Sequence, residues 1–298
     1  MKILVAEYAV GAGVTDYMLE GKAMLGTLVQ SFASCGHEVI YPTSGAVVGM
    51  GTAIRTEKFE EAIEINSKDC DAGLVIAPDE MLGDLTELVE ENTVNLGCPP
   101  GSVRLCADKL ECTRALERGK IPVPHTIESG GYRGDYIIKP RFGCASEGIH
   151  RSGGGTLNEG FIATKFIEGE HLSASIITGR TQLPLTVNRQ LIEINHDVSY
   201  KGGIVPYHCS RKNEVIEVAK NTLKLLGCRG YAGVDIVLGD RPYVVDVNPR
   251  PTTSIIGISR VMETEIADLI LRSRFSELPA NVRVSGCFTF KKEELLGL

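Results

Sequence analysis

Three short apolar runs in the first third of the chain, at residues 3–6, 37–41 and 72–77, set the tightest limit on what it can fold into. Each has strand length and lacks polar alternation, the pattern of a strand covered on both faces. Between the first two, Leu25, Leu28, Val29 and Phe32 recur at i, i+3, i+4 and i+7, one face of a helix. Charged helical stretches follow at 57–68 and 82–91. Strands separated by helices predict a parallel α/β sheet, whose ligand edge lies at the carboxyl ends of its strands.

At Pro99-Pro100-Gly101 the pattern changes. A helix is expected from Asp108, an N-cap with Glu111 three residues on, to Gly119, ahead of Ile121-Pro122-Val123-Pro124. Strands are then expected at 136–139, 148–150, 161–167, 171–177 and 183–187, a helix at 215–226, strands at 233–238 and 243–247, and one last helix near 260–272. The glycines at 153–155 read as a turn between strands. The expected organisation is an N-terminal α/β parallel-sheet domain over 1–103 followed by an α+β unit over 104–298.

The composition excludes several functions. A net charge of −7 with no basic stripe argues against nucleic acid as a partner. No apolar run approaches the ~20 residues that span a bilayer, and the opening residues are interrupted by Glu7 too early for a secretory signal. Nine cysteines, an odd number without a Cys-x-x-Cys pair, read as small core residues of a reducing, cytoplasmic compartment. The six histidines have no metal-ligand spacing, and His171 reads as a strand residue facing solvent. Gly11-Ala12-Gly13 after the first strand lacks the third glycine of a dinucleotide fingerprint.

Two segments carry chemistry. In Tyr136-Ile137-Ile138-Lys139-Pro140, followed by Gly143, Ser146 and Gly148, a lysine ends an apolar strand and opens a glycine loop. Such a loop lets backbone N–H groups approach phosphate; it reads equally as a snorkelling lysine beside a hairpin. In the second segment, residues 233–250, Asp246 and Asn248 are two apart and leave one face of a strand. Asp235 lies opposite Asp246 if residues 239–242 all form the turn, and opposite Val244 if only 239 and 240 do. Either way, two carboxylates and an amide share a face. Hard oxygen ligands of this kind suit Mg²⁺, which takes few protein carboxylates and completes its shell with phosphate and water.

In order along the chain, Asp108-Lys109, Gly119-Lys120-Ile121-Pro122, Ile138-Lys139-Pro140 with its glycine loop, residues 165–170, and Asp235 with Asp246, Asn248 and Arg250 resemble the ATP-grasp superfamily. The resemblance implies ATP-grasp subdomains over 104–298, with a lid at about 112–170. It implies ATP and Mg²⁺ (or Mn²⁺) as cofactors: Lys109, Lys139 and Ser146 at the phosphates, Lys165, Phe166 and Ile167 at adenine, Glu170 at ribose, and Asp235, Asp246 and Asn248 at the metal. Arg250 and Lys139 would serve the transferred phosphoryl group in a ligase that joins a small-molecule carboxylate to an amine through an acyl phosphate. Homodimers are common among such ligases. Two positions depart from the pattern: Lys165 stands where an acid is usual, and Gly233 where dipeptide ligases often carry arginine. A non-catalytic ATP-binding module would be expected to have lost a metal ligand, and all three are present. Another amino-acid ligase, with a different substrate pair, shares every one of these motifs.

Glu7-Tyr8, residues 20–24 and residues 200–206 look like a methanogen group within the superfamily. That group includes a methanofuran-biosynthesis enzyme that joins the glutamate γ-carboxyl to tyramine. Tyr200, Lys201 and Arg189 fall where family members often place acceptor contacts, and read equally as a polar surface loop.

Overall fold

The computed structural model describes residues 1–143 and 148–297. The first layer is built from β1 (Lys2–Glu7), α1 (Tyr8–Ala12), α2 (Met18–Ser34), β2 (Glu38–Thr43), β3 (Thr52–Arg55), α3 (Phe59–Ser67), β4 (Ala72–Ile76), α4 (Asp79–Asn92) and β5 (Val94–Asn95). Its five strands are parallel, in the order β3-β2-β1-β4-β5. The order reverses beside β1, so the carboxyl ends of β1 and β4 frame a crevice of the kind in which open α/β sheets bind ligands. Glu7 ends β1, and Asp79 opens α4 just beyond β4.

Two helices follow, α5 (Pro100–Ala107) and α6 (Lys109–Arg118). Asp108 caps α6 as the sequence suggests, accepting from the Leu110 and Glu111 amides at 3.2 Å each. A small antiparallel sheet then forms from β6 (Thr126–Ile127), β7 (Gly131–Pro140), β8 (His150–Thr156) and β9 (Phe161–Lys165), ordered β6-β9-β7-β8. The glycines at 153–155 lie within β8, paired with β7, rather than in a turn. This sheet has only a small core of its own: Ile138, Leu157 and Ala163, flanked by partly buried aromatics.

The largest sheet comprises β10 (Glu170–Thr178), β11 (Gln182–Ile194) and β12 (Val198–Val205), then, after α7 (Lys212–Leu225), β13 (Gly230–Leu238) and β14 (Pro242–Asn248). After α8 (Ile255–Val261) and α9 (Ile266–Phe275) the chain returns as β15 (Phe288–Lys291), at the far edge of the order β14-β13-β10-β11-β12-β15. A short 3₁₀ turn, Lys292–Gly297, follows. The single helix expected near 260–272 is two, because Met262 is extended and bridges Val284, and the Ser285 amide donates to the Val261 carbonyl.

The buried face of α7, with Val215, Ala219 and Leu223, packs on Leu172, Ala174, Val234 and Ile236 of the large sheet. That leaves the sheet's other face to carry Ser173, Asn188 and Asp235. Both core clusters flanking the parallel sheet continue into residues of the large sheet, which holds the two in fixed relation. The described cysteines are all free thiols, most of them buried. Among the described residues, no helix is long and apolar enough to cross a membrane.

β15 sits close against β12 because Gly202 has φ +145° and no side chain; a Cβ there would lie 2.1 Å from the Phe290 carbonyl oxygen. Gly202→Ala is expected to destabilise the fold by about 2–4 kcal/mol, from backbone strain plus displacement of β15. Urea unfolding checks this, and a variant as stable as wild type would contradict the close pairing.

Candidate active site

One cleft joins the parallel sheet, the small sheet and the polar face of the large sheet. Its centre is the β13–β14 hairpin. Leu238 pairs with Pro242, leaving a three-residue loop, and Ile236 pairs with Val244. Neither turn length considered from sequence occurs. An extra residue, Val245, then shifts the register so that Asp235 faces Asp246 and Gly233 faces Asn248. The bulge thereby restores carboxylate opposite carboxylate. Asn248 Nδ2 donates to Asp235 Oδ2 at 3.3 Å. The Asp235 carboxyl is partly buried in the cleft wall, and burial, reinforced by the Asp246 charge, pushes it up to about 7 against opposing bonds from Gln190 and Asn248.

The bulge has a second effect: the Val245 carbonyl accepts from Lys139 Nζ at 2.8 Å. Lys139 is buried at the end of β7, and burial lowers its pKa while Asp246 opposes the shift. Lys109, in the first turn of α6, also points into the cleft. Its Nζ lies 3.4 Å from Asp79 Oδ2 and donates to the Gly143 carbonyl. Burial alone would lower Lys109, but the Asp246 and Asp79 charges outweigh it and its pKa is raised. Asp108 grips Arg141 through two bonds, 2.7 and 2.6 Å, just beyond Lys139-Pro140.

Arg250 follows the metal-type residues directly. Its Nε is 4.0 Å from Asp79 Oδ1, and both atoms are buried with no hydrogen-bond partner. Such orphaned groups are expensive unless a ligand satisfies them. Burial raises the Asp79 pKa, opposed by Arg250 and Lys109. Glu7 occupies the neighbouring strand end, where its Oε2 caps α1 by accepting from the Val10 amide at 2.8 Å. Burial pushes Glu7 up to about 7, with Arg250 opposing and Glu20 assisting. Asp79 was not singled out in the sequence, and Glu7 only as part of a segment resembling relatives; the available signal for a site role was their position at the ends of two buried strands beside the sheet's reversal.

At the other end of the cleft, Lys165, Phe166 and Ile167 line the wall. The Phe166 ring lies beneath the Arg151 guanidinium at 3.9 Å. Glu170 is bonded to Arg189 at 2.9 Å, and Arg189 reaches the Tyr207 hydroxyl at 3.0 Å. His171 is half-buried and lines the cleft instead of facing solvent; burial and the Arg189 charge lower its pKa. Of the acceptor-type residues, Tyr200 and Arg189 line the cleft, whereas Lys201 pairs with Glu193 at 3.3 Å on the exposed side. Ser146 lies outside the described residues. Among the described residues, no three His, Cys, Asp or Glu side chains form a metal cluster.

Residues 106–254 match the ATP-grasp domain family. Among curated proteins, the chain is 31% identical to the tyramine–L-glutamate ligase of Methanocaldococcus fervens, over 92% of this chain and 94% of that one. It is 29% identical to the corresponding ligase of Methanocaldococcus jannaschii, over 92% and 90%. Among solved structures, an ATP-grasp superfamily protein from Archaeoglobus fulgidus superposes with a TM-score of 0.79 at 31% identity, over 95% of this chain and 90% of that one. The lysines, acidic hairpin and parallel-sheet layer therefore have a common explanation: the chain belongs to the ATP-grasp family.

Proposed function

We propose that this chain is an ATP-dependent carbon–nitrogen ligase that joins the γ-carboxyl of L-glutamate to the amine of tyramine, releasing ADP and phosphate. The observation that carries the reading is the convergence on one cleft of three cationic side chains and the acidic hairpin, each set from a different element. The substrate pair is supported by whole-chain similarity to the two tyramine–L-glutamate ligases.

In this reading Lys109 and Lys139 bind the α- and β-phosphates, and residues 165–167 line the adenine pocket. Asp235, Asp246 and Asn248 would hold Mg²⁺ or Mn²⁺, which when bound neutralises charge on the β- and γ-phosphates. The raised Asp235 pKa is the mark of a carboxylate pair short of positive charge, and so fits a divalent cation. Arg250, with its Nε unsatisfied, would donate to the phosphoryl group as it passes to the substrate carboxylate. Asp79 keeps Arg250 and Lys109 directed into the cleft. The small sheet would cover the acyl phosphate and exclude water until the amine displaces phosphate.

Lys139→Ala and Asp246→Ala are each expected to reduce glutamate- and tyramine-dependent ADP release by about a hundredfold or more, with circular dichroism unchanged. Release at the wild-type rate would refute their placement. Incubation of the enzyme with ATP, Mg²⁺, glutamate and tyramine should give an amide product identifiable by mass; product from another amine alone would reassign the acceptor.

The pH response follows from Asp235. Because its folded pKa is raised, the folded state retains a proton that the unfolded state has lost between the ordinary carboxylate range and about 7. Stability of the metal-free protein therefore falls as pH rises through that window. Glu7 acts in the same direction. Mg²⁺ binds the deprotonated pair, so its effect on the unfolding midpoint should be small at pH 5 and large at pH 8. Asp235→Asn should remove part of the slope and most of the Mg²⁺ effect; an unaltered Mg²⁺ effect would exclude Asp235 as a ligand.

A further inference from the structure

Glu20, on α2, is nearly fully buried, yet its carboxylate lines the cleft. Its partner comes from the other end of the chain: Lys292 Nζ lies 3.0 Å from Glu20 Oε2 and lines the same cleft. Lys292 is brought there by β15, whose Phe290 is buried and whose pairing at Gly202 and Gly203 sets its depth. The preceding Lys291 instead pairs outward with Glu294 at 3.6 Å. The Glu20 charge is felt by Glu7, which also feels Arg250, and by Tyr200, which also feels Asp235. The ion pair shares one cleft with Glu7, Tyr200, Asp235 and Arg250, among them groups assigned to phosphoryl transfer.

Lys292 is partly exposed, and an ion pair so placed contributes little net stability, because solvent screening and lost side-chain freedom offset the attraction. In the wall of a substrate cleft, however, an anion and a cation side by side match a molecule that carries an ammonium and a carboxylate on one carbon. Tyramine has no carboxylate for Lys292 to meet. We propose that Glu20 and Lys292 are the recognition pair for the amino-acid head of the donor, Glu20 taking the α-ammonium and Lys292 the α-carboxylate. The inference rests on the ligase reading above and adds to it the residues that recognise the donor's head group. With its head held at this pair, glutamate presents its side-chain carboxyl toward Arg250, so the γ-carboxyl is the one phosphorylated.

The test compares donors by glutamate-, 4-aminobutyrate- and glutarate-dependent ADP release in the presence of tyramine. The first analogue lacks the α-carboxylate and the second lacks the α-ammonium. Wild type should prefer glutamate to both, measured by kcat/KM. Lys292→Ala should reduce the preference over 4-aminobutyrate by about tenfold or more while keeping the preference over glutarate. Glu20→Gln should do the converse, and Lys292→Arg should retain both preferences. If each variant loses activity on all three donors in proportion, the pair is merely structural and the proposal is overturned. If wild type shows no glutamate-dependent ADP release, the ligase reading itself fails, and this inference with it.

Discussion

The bond from the Lys139 ammonium to the Val245 carbonyl, 2.8 Å long, ties the small sheet to the acidic hairpin. It exists because one residue too many was inserted into β14. Without the bulge, Asp246 would slip out of register with Asp235, and the carbonyl that anchors Lys139 would be lost to the ladder. Burial disfavours the Lys139 ammonium, and the nearby Asp246 charge offsets part of that cost. Carboxylate pair, lysine and bulge therefore presuppose one another. The same mutual dependence extends to Asp79, whose single carboxylate faces both Lys109 and Arg250.

This arrangement accounts for how an acidic chain can hold a polyanion. Net charge describes solubility and long-range steering, whereas binding is decided by the few side chains that converge. Here those are two lysines and an arginine, gathered beside the carboxylates of the hairpin and of Asp79. The parallel sheet contributes through the crevice beside its topological reversal, with Glu7 and Asp79 at the ends of strands whose interiors are almost wholly apolar. Both large cores run from that sheet into the antiparallel one, so these acids are rigidly set against the hairpin.

Much of this was legible in the sequence because it follows from local periodicity. Buried strands β1, β2 and β4 declare themselves as apolar runs, α2 by its stripe of Leu25, Leu28, Val29 and Phe32, and α6 by the Asp108 cap. The shared face of Asp246 and Asn248 follows from the strand period alone. The bulge at Val245 did not, since it is fixed by distant partners: Lys139 on the carbonyl and Pro122, which accepts from the Val244 amide at 2.9 Å. Strand β12 escaped notice because its glycines give no apolar alternation, although they are what admit β15. The break between α8 and α9 depends on Val284, far along the chain. The pairing of Glu20 with Lys292 spans almost the whole sequence, and no local signal could announce it.

The modest core of the small sheet has a broader consequence. Among the described residues its own apolar cluster has three buried members, whereas the other two layers share extensive apolar clusters. Regions with few buried contacts open at low free energy without disturbing the rest of a fold. This layer can thus loosen while the other two stay packed. Substitutions that harden the scaffold against heat need not stiffen the small sheet, and the two properties are free to evolve apart.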